Sequence, residues 1–345
     1  MMRNAKIRIL SIDGGGIRGI IPACLLIHIE NIIKEISRNE DALISDYFDL
    51  IAGTSTGAIL TALILDSKNN YCAKDMLNLY KEYGNAIFTR SLATRTIDRG
   101  ALFNPLYQHE VLETVLKKYF DDLLISQLKR PCLIPTYNLE TGNAEFISGL
   151  EIFQNIGQDK LVRDVIRATT AAPTYFEPAK KGRYSFIDGG MFANNPALCA
   201  YVEATKFPLE PKTSDIMILS FGTGSVNRKY PYTEARKWGR LNWLRPALEI
   251  YSSASSQTVN HQLEKLYENK ELKENYLRIE PHLEDFNVNT AMDDTSVKNI
   301  ENLIKVGMKL CEIHDLELRK FLKQVVMSNV LSHHELLYTY SKTKK

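Results

Sequence analysis

Short apolar runs alternate with longer amphipathic segments through the first two thirds of the chain. The runs at 7–12, 132–138 and 184–188 have the length and apolar content of strands. Apolar residues recur at helical spacing in the segments 20–36 and 161–170. Strands that alternate with helices predict an α/β fold in which a mostly parallel sheet is covered on both faces. Further strands are predicted at 47–53, 144–148 and 215–222, and further helices at 58–66 and 196–207.

A different pattern begins after residue 223. Basic and aromatic residues are interleaved between 225 and 251, and the segments 297–313 and 315–326 have the apolar spacing of helices. No linker rich in proline, glycine or serine separates this part from the rest of the chain. The sequence therefore predicts one domain with a helical C-terminal portion.

Composition and charge exclude several classes of protein. Of the 345 residues, 44% are hydrophobic and 24% are charged, and the formal net charge of +2 creates no global field that would attract nucleic acid. The five cysteines are scattered without CxxC spacing, which indicates reduced thiols and not a disulfide framework or a zinc site. No uninterrupted apolar segment reaches the roughly 20 residues of a spanning helix, and Asp13 interrupts the first apolar run before a signal-peptide core is complete. We expect a cytoplasmic protein, and secretion without an N-terminal signal stays open.

The stretch DGGGIRG, residues 13–19, follows the first predicted strand and precedes a helix. Its glycines fit the GxGxxG pattern of dinucleotide-binding loops. Asp13 would repel a pyrophosphate, however, and no acid ends a second strand about 20 residues later, where a ribose hydroxyl needs one. The alternatives are a simple glycine turn and a loop whose backbone N–H groups bind an oxyanion, with Arg18 adding positive potential.

The segment GTSTG, residues 53–57, has the GxSxG pattern of a nucleophile elbow. An apolar strand is predicted directly before it and a buried helix directly after it. Gly53 and Gly57 leave room for a sharp turn, and Ser55 would stand at the positive end of the helix. This context favours a nucleophilic serine over a plain tight turn.

A serine nucleophile needs a general base. None of the seven histidines lies in a glycine turn or at the end of a predicted strand. Asp188 does end an apolar strand, just before the Gly189-Gly190 turn, and we expect it at the edge of the sheet where Ser55 emerges. A Ser–Asp dyad and a triad completed by His261 or His282, as in an ordinary α/β-hydrolase, are both open at this point.

The blocks DGGGIRG, GTSTG and DGG, at 13–19, 53–57 and 188–190, resemble in this order the three signature blocks of patatin-like phospholipases. The segments RATTAAPTYFEPA and DGGMFANNPA are similar to those around that family's catalytic aspartate. The resemblance covers roughly residues 5–310 and leaves 311–345 as a helical C-terminal extension. It implies a three-layer α/β/α fold and hydrolysis of acyl esters in phospholipids, galactolipids or other polar lipids.

The resemblance also implies roles for individual residues. Ser55 matches the family's nucleophile and Asp188 its base, and this chemistry needs no metal or other cofactor. We expect Asp188 to be largely buried, because a free aspartate is a weak base and burial raises its pKa. The oxyanion would be bound by the backbone of Gly14, Gly15 and Gly16, beside the motif arginine Arg18.

The sequence leaves two questions open about partners. A lipid-binding or storage protein could keep this fold with little hydrolysis, and an activating partner or ligand would leave no readable motif. The segment 228–245 contains six basic residues, one acidic residue and both tryptophans, Trp238 and Trp243. It predicts either a solvated helix or a peripheral contact with an anionic membrane surface.

Overall fold

Eight strands form one central sheet in the computed structural model, which describes residues 6–89, 105–207, 211–226 and 229–328. In chain order they are β1 (Ile7–Ile12), β2 (Leu50–Gly53), β3 (Cys132–Asn138), β4 (Asn143–Ser148), β5 (Ala179–Lys181), β6 (Tyr184–Asp188), β7 (Ile216–Phe221) and β8 (Tyr276–Ile279). Hydrogen-bonded neighbours connect the strands in the order β5, β6, β3, β2, β1, β7, β8, and β4 pairs with β3 along the side that β2 and β6 leave open. Every predicted strand is present, and β5 and β8 are additional.

One half of the sheet is parallel and the other half is antiparallel. Strands β3, β2, β1, β7 and β8 run parallel to one another, whereas the pairs β3–β4, β3–β6 and β5–β6 are antiparallel. The connections from β3 to β4 and from β5 to β6 are too short for the crossover that parallel pairing needs, so each pair forms a hairpin. Four of the seven pairings are parallel, so the prediction of a mostly parallel sheet is confirmed, and antiparallel pairing is confined to β3, β4, β5 and β6.

Helices cover both faces of the sheet, as the three-layer prediction requires. Those described are α1 (Ile20–Ser37), α2 (Thr56–Leu65), α3 (Ala73–Ile87), α4 (His109–Phe120), α5 (Gly149–Phe153), α6 (Val162–Thr169), α7 (Gly190–Ala193), α8 (Ala197–Ala204), α9 (Tyr232–Ala235), α10 (Arg240–Leu266) and α11 (Val297–Met327). Strand β1 contributes to both cores because its side chains alternate in direction. Leu10 and Ile12 pack in the larger core with α1, α2 and α11, and Ile7 and Ile9 pack in the smaller core with α8 and α10.

Helix α1 lies in the larger core and packs against α11 and α3. Together with the turn before it, the stretch Gly16–Ser37 is long enough to cross a membrane and has a mean hydropathy of 1.5. Counting uninterrupted apolar residues missed this stretch because polar side chains such as His28 and Glu30 divide it. In the structure, 78% of its most apolar window is buried inside the protein, which is the environment of a core helix.

A buried ion pair connects the first strand to helix α11. Arg8 and Asp49 are both fully buried, and the guanidinium donates two hydrogen bonds of 2.8 Å to the carboxylate. Nη1 of Arg8 also donates to the carbonyl oxygens of Val325 and Ser328, at 3.4 and 3.0 Å. These carbonyls lie at the C-terminal end of α11, where helical partners are missing. Strand and helix are therefore joined by one side chain.

The predicted boundary between residues 310 and 311 falls inside α11. Leu303 and Val306 before it, and Leu318 and Leu322 after it, belong to the same larger core. The described part of the predicted extension thus packs with the rest of the domain. Residues 329–345 lie outside the described residues.

Candidate active site

Ser55 stands at a sharp turn between β2, which ends at Gly53, and α2. Its backbone has φ 52° and ψ −120°, a conformation that costs free energy in a residue with a side chain. Helix α2 begins at the next residue, so the positive end of its dipole lies beside the serine. A Cβ atom on Gly57 would lie 2.2 Å from the carbonyl oxygen of Ile12, so glycine is what lets α2 start this close to β1. This is the geometry expected of a nucleophile elbow.

A threonine at the end of α6 holds this turn against β3. The backbone N–H of Ser55 donates to Oγ1 of Thr169 at 3.1 Å. The same hydroxyl donates to the carbonyl oxygen of Pro135 at 2.7 Å. Thr169 is fully buried, so these bonds do not compete with water. The strained serine is thereby fixed to the sheet.

Strands β2 and β6 place Ser55 and Asp188 opposite each other. Both strands lie along the same side of β3, because β4 occupies its other side: Ala52 pairs with Leu133, and Asp188 with Thr136. Since β2 and β6 run in opposite directions, their carboxyl ends face each other across a short gap. The sequence predicts Asp188 at the edge of the sheet where Ser55 emerges. The two residues do lie close together, but at the facing ends of two strands that run in opposite directions, because β6 is antiparallel to β3.

The carboxylate of Asp188 is buried and faces the serine hydroxyl. The residue is 5% exposed, which confirms the expected burial. Its Oδ1 accepts a hydrogen bond of 2.7 Å from the N–H of Gly190, and the Ser55 side chain lies close enough to affect its pKa. Burial raises the pKa of Asp188 to about 6, although the Ser55 side chain and the N–H of Gly190 both act to lower it. At neutral pH the group is an ionised carboxylate and a stronger base than a free aspartate.

The glycine loop passes directly beside Ser55. A Cβ atom on Gly14 would lie 3.3 Å from Cβ of Ser55. The N–H of Gly14, however, donates to the carbonyl oxygen of Asn194 at 3.1 Å. The N–H groups of Gly15 and Gly16 have no hydrogen-bond partner within the described ranges. Of the three glycines predicted to bind an oxyanion, Gly14 thus has its N–H bound to the turn that follows Asp188, and Gly15 and Gly16 have N–H groups that are free among the described residues.

Arg18 lies behind the glycine loop and binds backbone carbonyls. Its Nε donates to Gly15 at 3.4 Å and its Nη1 to Gly224 at 3.2 Å. Burial lowers the pKa of this arginine, and the nearby Glu280 carboxylate opposes that effect. The motif arginine thus supports the shape of the loop.

Asp13 forms an ion pair on the far side of the loop. Its carboxylate accepts hydrogen bonds from Arg278 at 2.7 and 3.2 Å, and both side chains are almost fully buried. Arg278 also binds Glu280, which accepts the N–H of Gly224 at 2.8 Å. Burial raises the pKa of Asp13, and the arginine opposes the rise. Asp13 therefore anchors the loop, and Asp188 is the carboxylate that meets Ser55.

A cavity of roughly 1490 Å³ opens beside Ser55 and Asp188. Apolar side chains from α2, α3, α4 and the segment after α6 line one part of it, namely Ile59, Leu79, Phe88, Leu112 and Phe176. Polar side chains of α10 line another part, namely Ser256, Gln257, Asn260 and Glu264. Such a division suits a ligand with an apolar chain and a polar end. Within the described ranges, no group of three His, Cys, Asp or Glu side chains is placed to hold a metal ion.

The sequence model of the family "Patatin-like phospholipase" matches residues 10–201, which contain the glycine loop, the serine turn and the Asp188 turn. This chain belongs to the patatin-like phospholipase family. Patatin-2-Kuras 3 from Solanum tuberosum is 32% identical over 330 residues, which cover 88% of this chain and 83% of that relative. Patatin-like protein 2 from Oryza sativa subsp. indica is 31% identical over 341 residues, or 89% and 84% of the two chains. Membership in this family implies a lipid acyl hydrolase with a lipid substrate.

A solved structure gives a weaker match. The crystal structure of VipD from Legionella pneumophila aligns with 90% of this patatin-like chain and 67% of its own, at 14% identity and a TM-score of 0.38. A likeness at this level adds nothing to the family assignment.

The two tryptophans of this patatin-like protein form an aromatic cluster near the cavity. The rings of Trp238 and Trp243 lie 5.0 Å apart, and Tyr230, which lines the cavity, lies 5.1 Å from Trp238. Trp243 is 42% exposed, and Leu241, two residues earlier on α10, is 82% exposed. Four basic side chains that neighbour the cluster in sequence are exposed, namely Lys229, Arg236, Lys237 and Arg240. Arg228 lies outside the described residues.

The histidines considered as alternative bases have other environments. His261 is exposed on α10. His282 lines the cavity, and its Nδ1 lies 2.9 Å from the hydroxyl of Ser225. The titratable side chain that interacts with Ser55 is the Asp188 carboxylate.

Several residues that support the site carry no sequence signal. Thr169 looks like any threonine at the end of an amphipathic helix, and Arg278 lies 265 residues from its partner Asp13. Thr54 donates to the carbonyl oxygen of Ala193 at 2.7 Å, a contact that spans 139 residues. Such pairs become visible when the sheet brings distant segments together.

Proposed function

We propose that this patatin-like protein hydrolyses acyl esters of polar lipids with Ser55 as nucleophile and Asp188 as general base. The observation that carries the proposal is the buried Asp188 carboxylate, which lies beside the side chain of a serine on a strained turn. The adjoining cavity, with its apolar and polar parts, supports a lipid as substrate.

In the first half of the reaction, Asp188 accepts the proton of the Ser55 hydroxyl while Oγ attacks the ester carbonyl carbon. The carbonyl oxygen becomes an oxyanion, for which the N–H groups of Gly15 and Gly16 are the available donors. Protonated Asp188 then gives the proton to the departing alcohol as the carbon–oxygen bond breaks. An acyl ester of Ser55 is left.

In the second half, Asp188 takes a proton from water, and the water oxygen attacks the acyl carbon of the Ser55 ester. The proton returns to Oγ of Ser55 when the fatty acid leaves. The rise in the pKa of Asp188 from 3.8 to about 6 strengthens the base by about 3 kcal/mol, at about 1.4 kcal/mol for each unit. This rise brings the pKa of the carboxyl nearer to the pH at which it works.

The aromatic cluster supports a peripheral contact with the membrane surface as part of this function. Exposed apolar and basic side chains occur together in the segment 229–243, whose Tyr230 lines the cavity. Cations near anionic headgroups each contribute about 1 kcal/mol, and interfacial tryptophans add apolar contact. A lipid drawn from the bilayer at this place would have a short path to Ser55.

The catalytic assignment is tested with Ser55→Ala, Asp188→Asn and the double variant. Residues that act as one unit lose activity non-additively, so all three variants should fall to about the same low rate of ester hydrolysis. Circular dichroism must show the wild-type fold for each. His261→Ala and His282→Ala should stay within about tenfold of the wild-type rate, which corresponds to 1.4 kcal/mol in the barrier. If a histidine variant fell to the Ser55→Ala rate while Asp188→Asn stayed active, a triad would replace the dyad.

A further inference from the structure

Two peptide groups of the glycine loop are held by their carbonyl oxygens. The carbonyl of Gly14 accepts a hydrogen bond of 2.5 Å from Oγ1 of Thr223. The carbonyl of Gly15 accepts the Nε of Arg18 at 3.4 Å and the backbone N–H of Arg18 at 3.2 Å. Both carbonyls therefore have donors on the side of the loop that carries Arg18 and the end of β7.

The orientation of a carbonyl fixes the orientation of the next N–H. A peptide group is planar and trans, so its C=O and N–H point in opposite directions. The carbonyl of Gly14 belongs to the same peptide as the N–H of Gly15, and the carbonyl of Gly15 to the same peptide as the N–H of Gly16. The side chains of Thr223 and Arg18 thus set the directions of the two free donors of the loop.

Thr223 is itself held firmly where β7 ends. The residue is 2% exposed, and it lies between two glycines that allow close packing. The N–H of Gly224 donates to Glu280 at 2.8 Å, and the carbonyl of Gly224 accepts Arg18 at 3.2 Å. A Cβ atom on Gly15 would lie 2.2 Å from Oγ1 of Thr223, so the hydroxyl lies directly against the loop. It has little freedom to turn away.

We propose that Thr223 is a positioning residue that aims the N–H of Gly15 at the oxyanion formed on the substrate. Glycine peptides rotate easily because no Cβ restricts them, so an unheld Gly14–Gly15 peptide would spend time with its N–H turned away. A donor that is fixed in advance needs no reorganisation when charge develops, which is the source of its catalytic value. The inference rests on the proposed hydrolysis by Ser55 and adds a residue to it.

The matched variants are Thr223→Ser and Thr223→Ala, which both lack the methyl group and differ by one hydroxyl. We expect kcat of the serine variant to stay within about threefold of wild type. We expect kcat of the alanine variant to fall roughly 10- to 100-fold with little change in KM, less than the loss of a whole oxyanion donor. Thr61→Val is the control, because Thr61 is a buried threonine near the serine turn whose hydroxyl has no partner among the described residues. Equal kcat in the alanine and serine variants would overturn the inference and leave the Ser55 chemistry intact.

A second measurement distinguishes a role of Thr223 in orienting the N–H of Gly15 from a role in packing alone. A trifluoromethyl ketone analogue of a lipid ester forms a tetrahedral adduct with an active serine, whereas a lipid ether binds without reacting. In the alanine variant, Ki of the ketone should rise by the factor that kcat/KM falls, and the affinity for the ether should be unchanged. If the alanine variant lost affinity for the ketone and the ether by the same factor, the loss would reflect packing, and the assigned role of Thr223 would be contradicted.

A third measurement needs no turnover, so it separates this inference from the proposed hydrolysis. Crystal structures of the alanine and serine variants should differ in the Gly14–Gly15 peptide, which is expected to rotate or to adopt two orientations in the alanine variant only. An unchanged peptide in the alanine variant would refute the role of Thr223 whatever the activity of the wild-type chain.

Discussion

Burial of Asp188 raises its pKa to about 6, and the same shift destabilises the folded protein at neutral pH. An unfolded aspartate has its usual pKa, so between about pH 4 and 6 the folded state binds more protons than the unfolded state. The free energy of unfolding therefore falls as pH rises through this window. The cost at pH 7 is about 3 kcal/mol at most, from the two pKa values.

Asp188→Asn should accordingly stabilise the protein while it abolishes hydrolysis. The neutral amide has a similar shape and no charge to desolvate, so the melting temperature at pH 7.5 should exceed that of wild type. Near pH 4, where the wild-type carboxyl is protonated in the fold, the difference should disappear. Thermal melts across pH 4–8 measure this, with Ser55→Ala as a control that keeps the carboxylate.

The same pKa should appear in the rates of the wild-type enzyme. Asp188 must be ionised to accept the serine proton, so kcat/KM should decline as pH drops below about 6. A rate profile flat from pH 5 to 8, together with pH-independent stabilisation by Asp188→Asn, would contradict the assigned pKa.

At the scale of elements, the site depends on where strands end and helices begin. Helix α2 starts against β1, with Gly57 in contact with the end of that strand. Gly57→Ala should force α2 away from β1, destabilise the fold by about 1–3 kcal/mol and greatly reduce hydrolysis. Urea unfolding and ester hydrolysis measure the two effects. Gly239→Ala is the control, because a Cβ atom on Gly239 would meet nothing within 4 Å.

The sequence predicted these elements better than their arrangement. Strands β3 and β6 were predicted at their observed limits, because each is a short run rich in apolar residues that ends at a polar residue, Asn138 or Asp188. Their pairing was not found: nothing in the run 184–188 shows that it lies end to end with β2 along β3. Strand β8 was missed because Tyr276–Ile279 is a four-residue run that contains an arginine. Register depends on contacts between segments far apart in the chain.

The residues that we propose as nucleophile and base can be singled out from the sequence for a different reason. Ser55 and Asp188 sit in glycine turns whose spacing is local and therefore visible in the sequence. Thr169 and Thr223 act through backbone atoms of distant segments, and any buried threonine in the right place could do so. Short motifs indicate the proposed reacting groups, whereas the residues proposed to position them can be recognised only once the fold is known.

At the scale of the whole molecule, the aromatic cluster lies beside the cavity on one surface. Binding to liposomes that contain anionic lipid should weaken with added salt. The double variant Trp238→Ala/Trp243→Ala should bind at least roughly tenfold less, since 1.4 kcal/mol of lost apolar contact is a factor of ten. Leu316→Ala on α11, an apolar residue that is 81% exposed, serves as control.

Hydrolysis of a short soluble ester separates docking from catalysis. The double tryptophan variant should keep the wild-type rate on this substrate and lose activity on vesicles. Equal vesicle binding by the tryptophan variant and wild type would remove the membrane contact from the proposed function.

The contact between Arg8 and the end of α11 has a consequence for how the protein is made. Arg8 can meet Asp49 early in synthesis, but the carbonyl of Ser328 is 320 residues away. At about 5–20 residues per second, a ribosome needs roughly 15–60 s to add that stretch. Until β7 has been synthesised, one edge of β1 has no neighbouring strand. Until α11 has been synthesised, Nη1 of Arg8 lacks the carbonyl oxygens of Val325 and Ser328 as acceptors. Nascent chains that stop early would expose β1, the central strand of the sheet. We therefore expect chaperones to bind incomplete chains more than the complete protein.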